Sequence, residues 1–146
     1  MKPSMKLEGG KDLEKALMEL PKASAKASVR RVLKKAAQII ADAGRGNAPE
    51  REGGLKDSYG VGTRLTKRQR KLHRRESEVE VFAGPNDPAA VQTEFGNEHQ
   101  AAQPHLRPAW DANKHDALDL VSEELWADVL KSIQRYQRRA ASRARK

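Results

Sequence analysis

The sequence predicts an α+β fold: a small antiparallel sheet packed by two main helices, with a long C-terminal helix and a basic loop between the two strands. Three observations carry this. Apolar residues recur at helical spacing along 22–44 and along 108–139. Two stretches between them, 58–65 and 77–84, alternate with the period of a strand instead. The strands are consecutive with no helical crossover between them, which makes the pair antiparallel.

Taken in order, residues 1–10 carry no periodicity and read as an N-terminal arm, leaving a single domain over 11–139 and a basic tail at 140–146. Asp12 suits the cap of a short helix whose Leu13, Ala16, Leu17 and Leu20 share one face, and Pro21 ends it. In the helix from Lys22, Val29, Val32, Leu33, Ala36, Ala37, Ile40 and Ala43 line one side. Lys26, Arg30, Arg31, Lys34 and Lys35 line the other. Gly44 and Gly46 are expected to stop this helix, with Arg45 near the negative end of its dipole. A turn-rich connection follows at Asn47-Ala-Pro49 and Gly53-Gly54.

In the first strand Tyr59, Val61, Thr63 and Leu65 share a face; in the second Val79, Val81 and Ala83 do. Between them the insertion at 64–75 holds seven Lys/Arg in twelve residues. A segment so charged is expected to be a mobile loop until a partner orders it. Arg64, Lys67, Arg68, Arg70, Lys71, Arg74 and Arg75 are its candidate contacts with a polyanion or an acidic protein face. A solvated loop is the bland reading of the same pattern.

The stretch 93–109 organises the rest. Glu94-Phe95-Gly96 makes a turn, and Pro104-His105-Leu106-Arg107-Pro108 a stiff approach to a helix. Gly96 is free to adopt a backbone that other residues avoid, and Pro108 fits a first helical turn because that turn has no use for its N–H. Phe95 and Leu106 read as apolar anchors. Glu94 reads as the site of a structural hydrogen bond or of an intersubunit salt bridge with an arginine such as Arg107. Beyond Pro108, Leu118, Val121, Leu125, Val129, Ile133 and Tyr136 form a stripe that Leu120 and Leu130 widen, with Trp110 at the entrance. This helix is long enough for its far end to project or to meet a neighbour.

Composition narrows the function classes. The 146 residues carry a net charge of +9, no cysteine and few aromatics, so the core should be thin and rich in alanine. Without cysteine there is neither a disulfide framework nor a thiolate metal site. No apolar run reaches membrane-spanning length and the N-terminus lacks a signal-peptide core, so a soluble protein made in the cytoplasm is expected. Basic residues gather at 22–35, 64–75 and 131–146, with an acidic band between the last two: Asp111, Asp116, Asp119, Glu123, Glu124 and Asp128. Segregation of this kind suits polyanions or complementary subunits.

The Glu94-Phe95-Gly96 turn followed by Gln103-Pro-His-Leu-Arg-Pro-Ala109 resembles the signature of the tail-component, or tail-completion, family of lambdoid-type long-tailed bacteriophages. The resemblance takes in Leu7–Gly10, Asn47-Ala-Pro49, Gly53–Ser58, the strand Val79–Val81 and Gly84-Pro85, in order over roughly residues 7–112. The basic insertion and the basic tail depart from it. It implies a structural virion protein of the neck: a ring, hexameric in the family, around the channel through which DNA leaves. The implied partners are copies of itself, a head–tail connector or stopper protein, and a tail terminator or tail tube protein. Non-specific contact with DNA in the channel is a further one, and no membrane is involved. The implied locations are the virion neck or tail, and the host cytoplasm during assembly. Glu94, Phe95, Gly96, Pro104, Leu106, Arg107 and Pro108 become candidate subunit contacts. A tail terminator capping the tube and a basic nucleic-acid-binding protein outside any virion are the competing readings.

Catalytic chemistry finds no purchase. His73, His99, His105 and His115 show no metal-ligand spacing and read as incidental surface residues. Glu94 lacks a recognisable acid–base partner, and no phosphate-binding glycine loop or nucleophile elbow occurs. The expectation is a protein that is not an enzyme, has no cofactor and holds no metal.

Overall fold

The structure, a computed structural model, describes residues 9–50 and 54–146. It bears out the α+β class. The elements are α1 (Gly10–Met18), α2 (Lys22–Asn47), α3 (Gly54–Asp57), β1 (Tyr59–Gly62), α4 (Lys67–Leu72), β2 (Phe82–Pro85), α5 (Ala90–Phe95) and α6 (Leu106–Ala144). Most of the expected N-terminal arm, and Gly53 of the turn, lie outside the described residues.

The frame is an antiparallel pair of long helices, α2 and α6. Ser28 Oγ lies 3.0 Å from Ser132 Oγ, Arg31 meets Asp128, and Lys35 meets Glu124, so one helix runs up as the other runs down. Small residues let the backbones approach: Ala36 and Ala117 are buried beside Ile40, and the paired serines satisfy each other where both are buried. α1 closes one end by adding Leu13, with Leu20 just beyond it, to Val32, Leu125 and Val129. At the other end Ala41, Ala48 and Tyr59 form a third cluster, against which Leu106, Val61 and Ala83 pack. β1 and β2 pair antiparallel in the register Tyr59↔Pro85, Gly60↔Gly84, Val61↔Ala83 and Gly62↔Phe82.

Several expected boundaries move, each for a physical reason. Gly9, at φ 74°, starts α1 and Asp12 sits in the first turn without capping it. Gly44 and Gly46 do not stop α2, which ends at Asn47, where Ala48 turns extended ahead of Pro49. Gly44 is inside the helix because a Cβ there would lie 2.5 Å from the Tyr59 ring. The expected strand 77–84 shrinks to a pairing that begins at Phe82. Upstream, the Glu80 carboxylate draws the backbone N–H groups of Glu76 and Ser77 (2.8 and 3.3 Å) and His73 Nε2 (2.8 Å), bending the chain out of the ladder. α6 starts at Leu106 rather than Pro108 and stays helical to Ala144, so the expected tail 140–146 is mostly helix. At 39 residues α6 is about 58 Å long. Of its expected stripe Leu125 and Val129 are buried, whereas Leu130 and Tyr136 are exposed.

Candidate functional site

The first turn of a helix leaves four backbone N–H groups without intrahelical acceptors. In α6 these positions are His105, Leu106, Arg107 and Pro108. Glu94, on the last turn of α5, takes three of them: Oε2 accepts from His105 N (2.8 Å) and Leu106 N (3.0 Å), and Oε1 from Arg107 N (3.0 Å). The fourth does not exist, because Pro108 has none to donate. Arg107 completes the clasp, donating from Nε to Glu94 Oε1 and from Nη2 to the Glu94 carbonyl, each at 3.0 Å. Its guanidinium also lies 4.5 Å from the centre of the Phe95 ring.

Burial by itself would raise the Glu94 pKa, but the three backbone donors and the Arg107 side chain prevail and hold it at about 2. The positive end of the α6 dipole favours the same charge. Gly96 makes the reversal between α5 and the loop. It sits at φ 75°, and a Cβ there would lie 2.7 Å from Ala102 N. Asn97 Oδ1 accepts from His99 N and Gln100 N, and Gln103 N donates to Thr93 O, which fixes the loop between the two helices.

Beneath the clasp, His105 is fully buried, contrary to its expected place on the surface. Burial, and then the nearby Glu94 charge, push the Tyr59 hydroxyl up to about 12, and that hydroxyl shares a hydrogen bond with His105 Nδ1. The other ring nitrogen, His105 Nε2, lies 3.5 Å from Glu94 Oε2, within ion-pair range but without hydrogen-bond geometry. The Tyr59 and His105 rings meet edge to face at 5.6 Å. Hydroxyl, imidazole and carboxylate thus line up as in a proton relay, yet the imidazole has no exposed surface to offer a substrate. The arrangement ties β1 to the start of α6.

The second candidate region, 64–75, is not wholly a loop. Thr66 and Gln69 form a reciprocal capping box that starts α4. Arg70 donates to Leu65 O, and Arg75 to Ser77 O and Glu78 O, while His73 packs edge to face on Phe82. Arg64, Lys67, Arg68, Lys71 and Arg74 are exposed and make no ion pair among the described residues. The basic face of α2 differs. Lys26 pairs with Glu78 at 3.5 Å, Arg31 with Asp128 at 2.8 Å and Lys35 with Glu124 at 2.8 Å, so part of the segregated charge is neutralised within the chain.

Of the corner residues, Glu94 is buried and committed inward, Leu106 is an anchor packed between two core clusters, and Phe95, Pro104, Arg107 and Pro108 face outward. Phe95 is 62% exposed and anchors nothing in the core. Sequence reasoning missed Tyr59 and His105 as members of this site. Nothing local marks them, because they are each other's partners and lie 46 positions apart in the sequence.

Among the described residues no helix is long and apolar enough to cross a membrane, and no group of three or more His, Cys, Asp or Glu could hold a metal ion. No curated protein and no solved structure matches the chain. The family model described as "Bacteriophage HK97-gp10, putative tail-component" matches residues 11–96, from α1 through the Gly96 turn. The match covers more than half of the chain and ends on the glutamate–phenylalanine–glycine corner, so this protein belongs to the HK97-gp10-like family of bacteriophage tail components.

Proposed function

We propose that the protein is a tail-completion, or head–tail joining, subunit that forms a ring in the virion neck around the DNA channel, with a structural rather than a catalytic role. The observation that carries this reading is the overhang of α6: every residue from Gln134 to Lys146 is exposed, so the last turns of the helix extend past their packing partners within the chain. An extension of this kind, aimed by a clasped first turn, suits a subunit completed by its neighbours. Head-to-tail contacts between identical copies close into rings when their rotation closes. The natural neighbours are then a connector or stopper on one side and a tail terminator or tube protein on the other.

Mass measurements on the full chain test this, together with mass spectrometry of purified virions. A closed oligomer and presence in virions at ring-like copy number support it. A chain that stays monomeric at high concentration and is absent from particles overturns it. Virions made without the protein separate the tail-terminator role, because loss of a terminator leaves the tube free to grow overlong. A second reading, nucleic-acid binding, is favoured by the five exposed cations of 64–75 that make no ion pair among the described residues. It predicts salt-sensitive binding of duplex DNA by the isolated chain.

A further inference from the structure

Helix α6 carries an acidic stretch in its first half and a basic C-terminal end, charges that the fold does not use up. Asp116, Asp119 and Glu123 are exposed, follow one another at i, i+3 and i+7, and make no ion pair among the described residues. Past Gln134 the exposed residues include Arg138, Arg139, Arg143, Arg145 and Lys146, with no acidic residue beyond that point and no ion pair to these five among the described residues. Like charges at these spacings repel along a helix, so both ladders are unfavourable in an isolated chain. The helix's own dipole favours such polarity only in the first and last turns, which leaves Asp116, Asp119, Glu123 and Arg139 unexplained. The remaining acids of the band, Asp111, Glu124 and Asp128, are already paired with Lys114, Lys35 and Arg31.

The face of the overhang matters as well. Arg139 and Arg143 continue the side of α6 that buries Val129 and Ser132 against α2. Past the N-terminal end of α2, that side carries arginines where an apolar partner would need leucines. An acidic partner fits it. Read from opposite ends, the two ladders have the same steps: Glu123, Asp119 and Asp116 fall back by four and three, and Arg139, Arg143 and Lys146 advance by four and three.

We infer that the C-terminal end of α6 docks antiparallel on the acidic stretch Asp116–Glu123 of a second copy of this chain. The contact is heterologous, because each copy offers its basic end to one neighbour and its acidic stretch to another. It rests on the ring reading above and names the surfaces that would make the ring.

Charge reversal of the full chain tests it, with sedimentation velocity at low and high salt as the readout. All substituted positions are exposed, and circular dichroism melts verify that each variant folds. R139E/R143E and D119K/E123K are each expected to weaken self-association about tenfold or more at low salt, and high salt is expected to weaken the wild type likewise. An equimolar mixture of the two variants restores the complementary charges and is expected to assemble again. Wild-type assembly that neither variant disturbs overturns the contact while leaving the ring reading intact. Loss in both variants without recovery in the mixture also overturns it. A monomeric wild type removes the ring reading and the contact together. If R139E/R143E assembles normally but loses affinity for a DNA duplex, the basic end serves phosphate instead, and the inference fails.

Discussion

Glu94 and Pro108 divide the start of α6 between them: the carboxylate accepts the three N–H groups that the first turn leaves free, and the proline removes the fourth. A helix of 39 residues thereby begins with none of its usual unsatisfied donors, at a charged group fixed to the preceding helix. Direction set at this point is carried along the full length of the helix to its exposed end.

Replacing Glu94 by Gln retains the shape but turns an amide N–H₂ toward backbone donors and removes the charge. The loss is expected to be roughly 2–3 kcal/mol, the cost of leaving buried polar groups unpaired. Urea unfolding followed by circular dichroism measures it, and a loss below about 0.5 kcal/mol would show that the clasp contributes little.

Two neighbouring glycines of α2 should respond in opposite directions. Gly44→Ala drives a methyl group into the Tyr59 ring and is expected to destabilise by roughly 1–3 kcal/mol. Gly46 is helical, and a methyl group there would meet no atom within 4 Å, so Gly46→Ala is expected to stabilise by about 0.5–1 kcal/mol. Thermal melts of the two variants against the parent check the signs.

Gly96→Ala meets two obstacles, a positive φ of 75° and a contact of 2.7 Å with Ala102 N. The expected loss is about 1–3 kcal/mol, with the strain confined to the corner. Amide hydrogen exchange should then show faster exchange at Gln103, whose N–H is held by Thr93 O.

Phe95→Ala separates contact from stability. The ring is 62% exposed and lies against the Arg107 guanidinium, so the fold should lose less than about 1 kcal/mol. If Phe95 is a subunit contact, assembly measured by sedimentation weakens far more than the melting temperature does. Equal effects on both would make it a merely local packing residue.

Much of this architecture was legible in the residues. The stripe Val32, Ala36 and Ile40 marked α2, and the corner pointed to Glu94 and Arg107 as partners, although the expected bridge between subunits closes within one chain. Gly44 misled because a glycine reads as a helix stop, whereas here it makes room for an aromatic ring from a distant strand. Val79 and Val81 looked like strand residues, but a single carboxylate, Glu80, bends that segment away from the sheet. Helix α4 did have a local signal: threonine and glutamine at the spacing of a capping box, masked by the surrounding charge. His105 could not be placed, because burial is decided by Tyr59 and Glu94, which only the fold brings to it.

The titration of Glu94 tests the account most directly. Its folded pKa of about 2 lies below the ordinary 4.5, so its stabilisation is complete above pH 4.5 and is lost as pH falls toward 2. That difference corresponds to roughly 3 kcal/mol. Following the Glu94 carboxyl carbon by NMR as pH is lowered, the clasp predicts a midpoint near 2 that disappears with Glu94→Gln. A midpoint near 4.5 would mean that this carboxylate does not hold the start of α6.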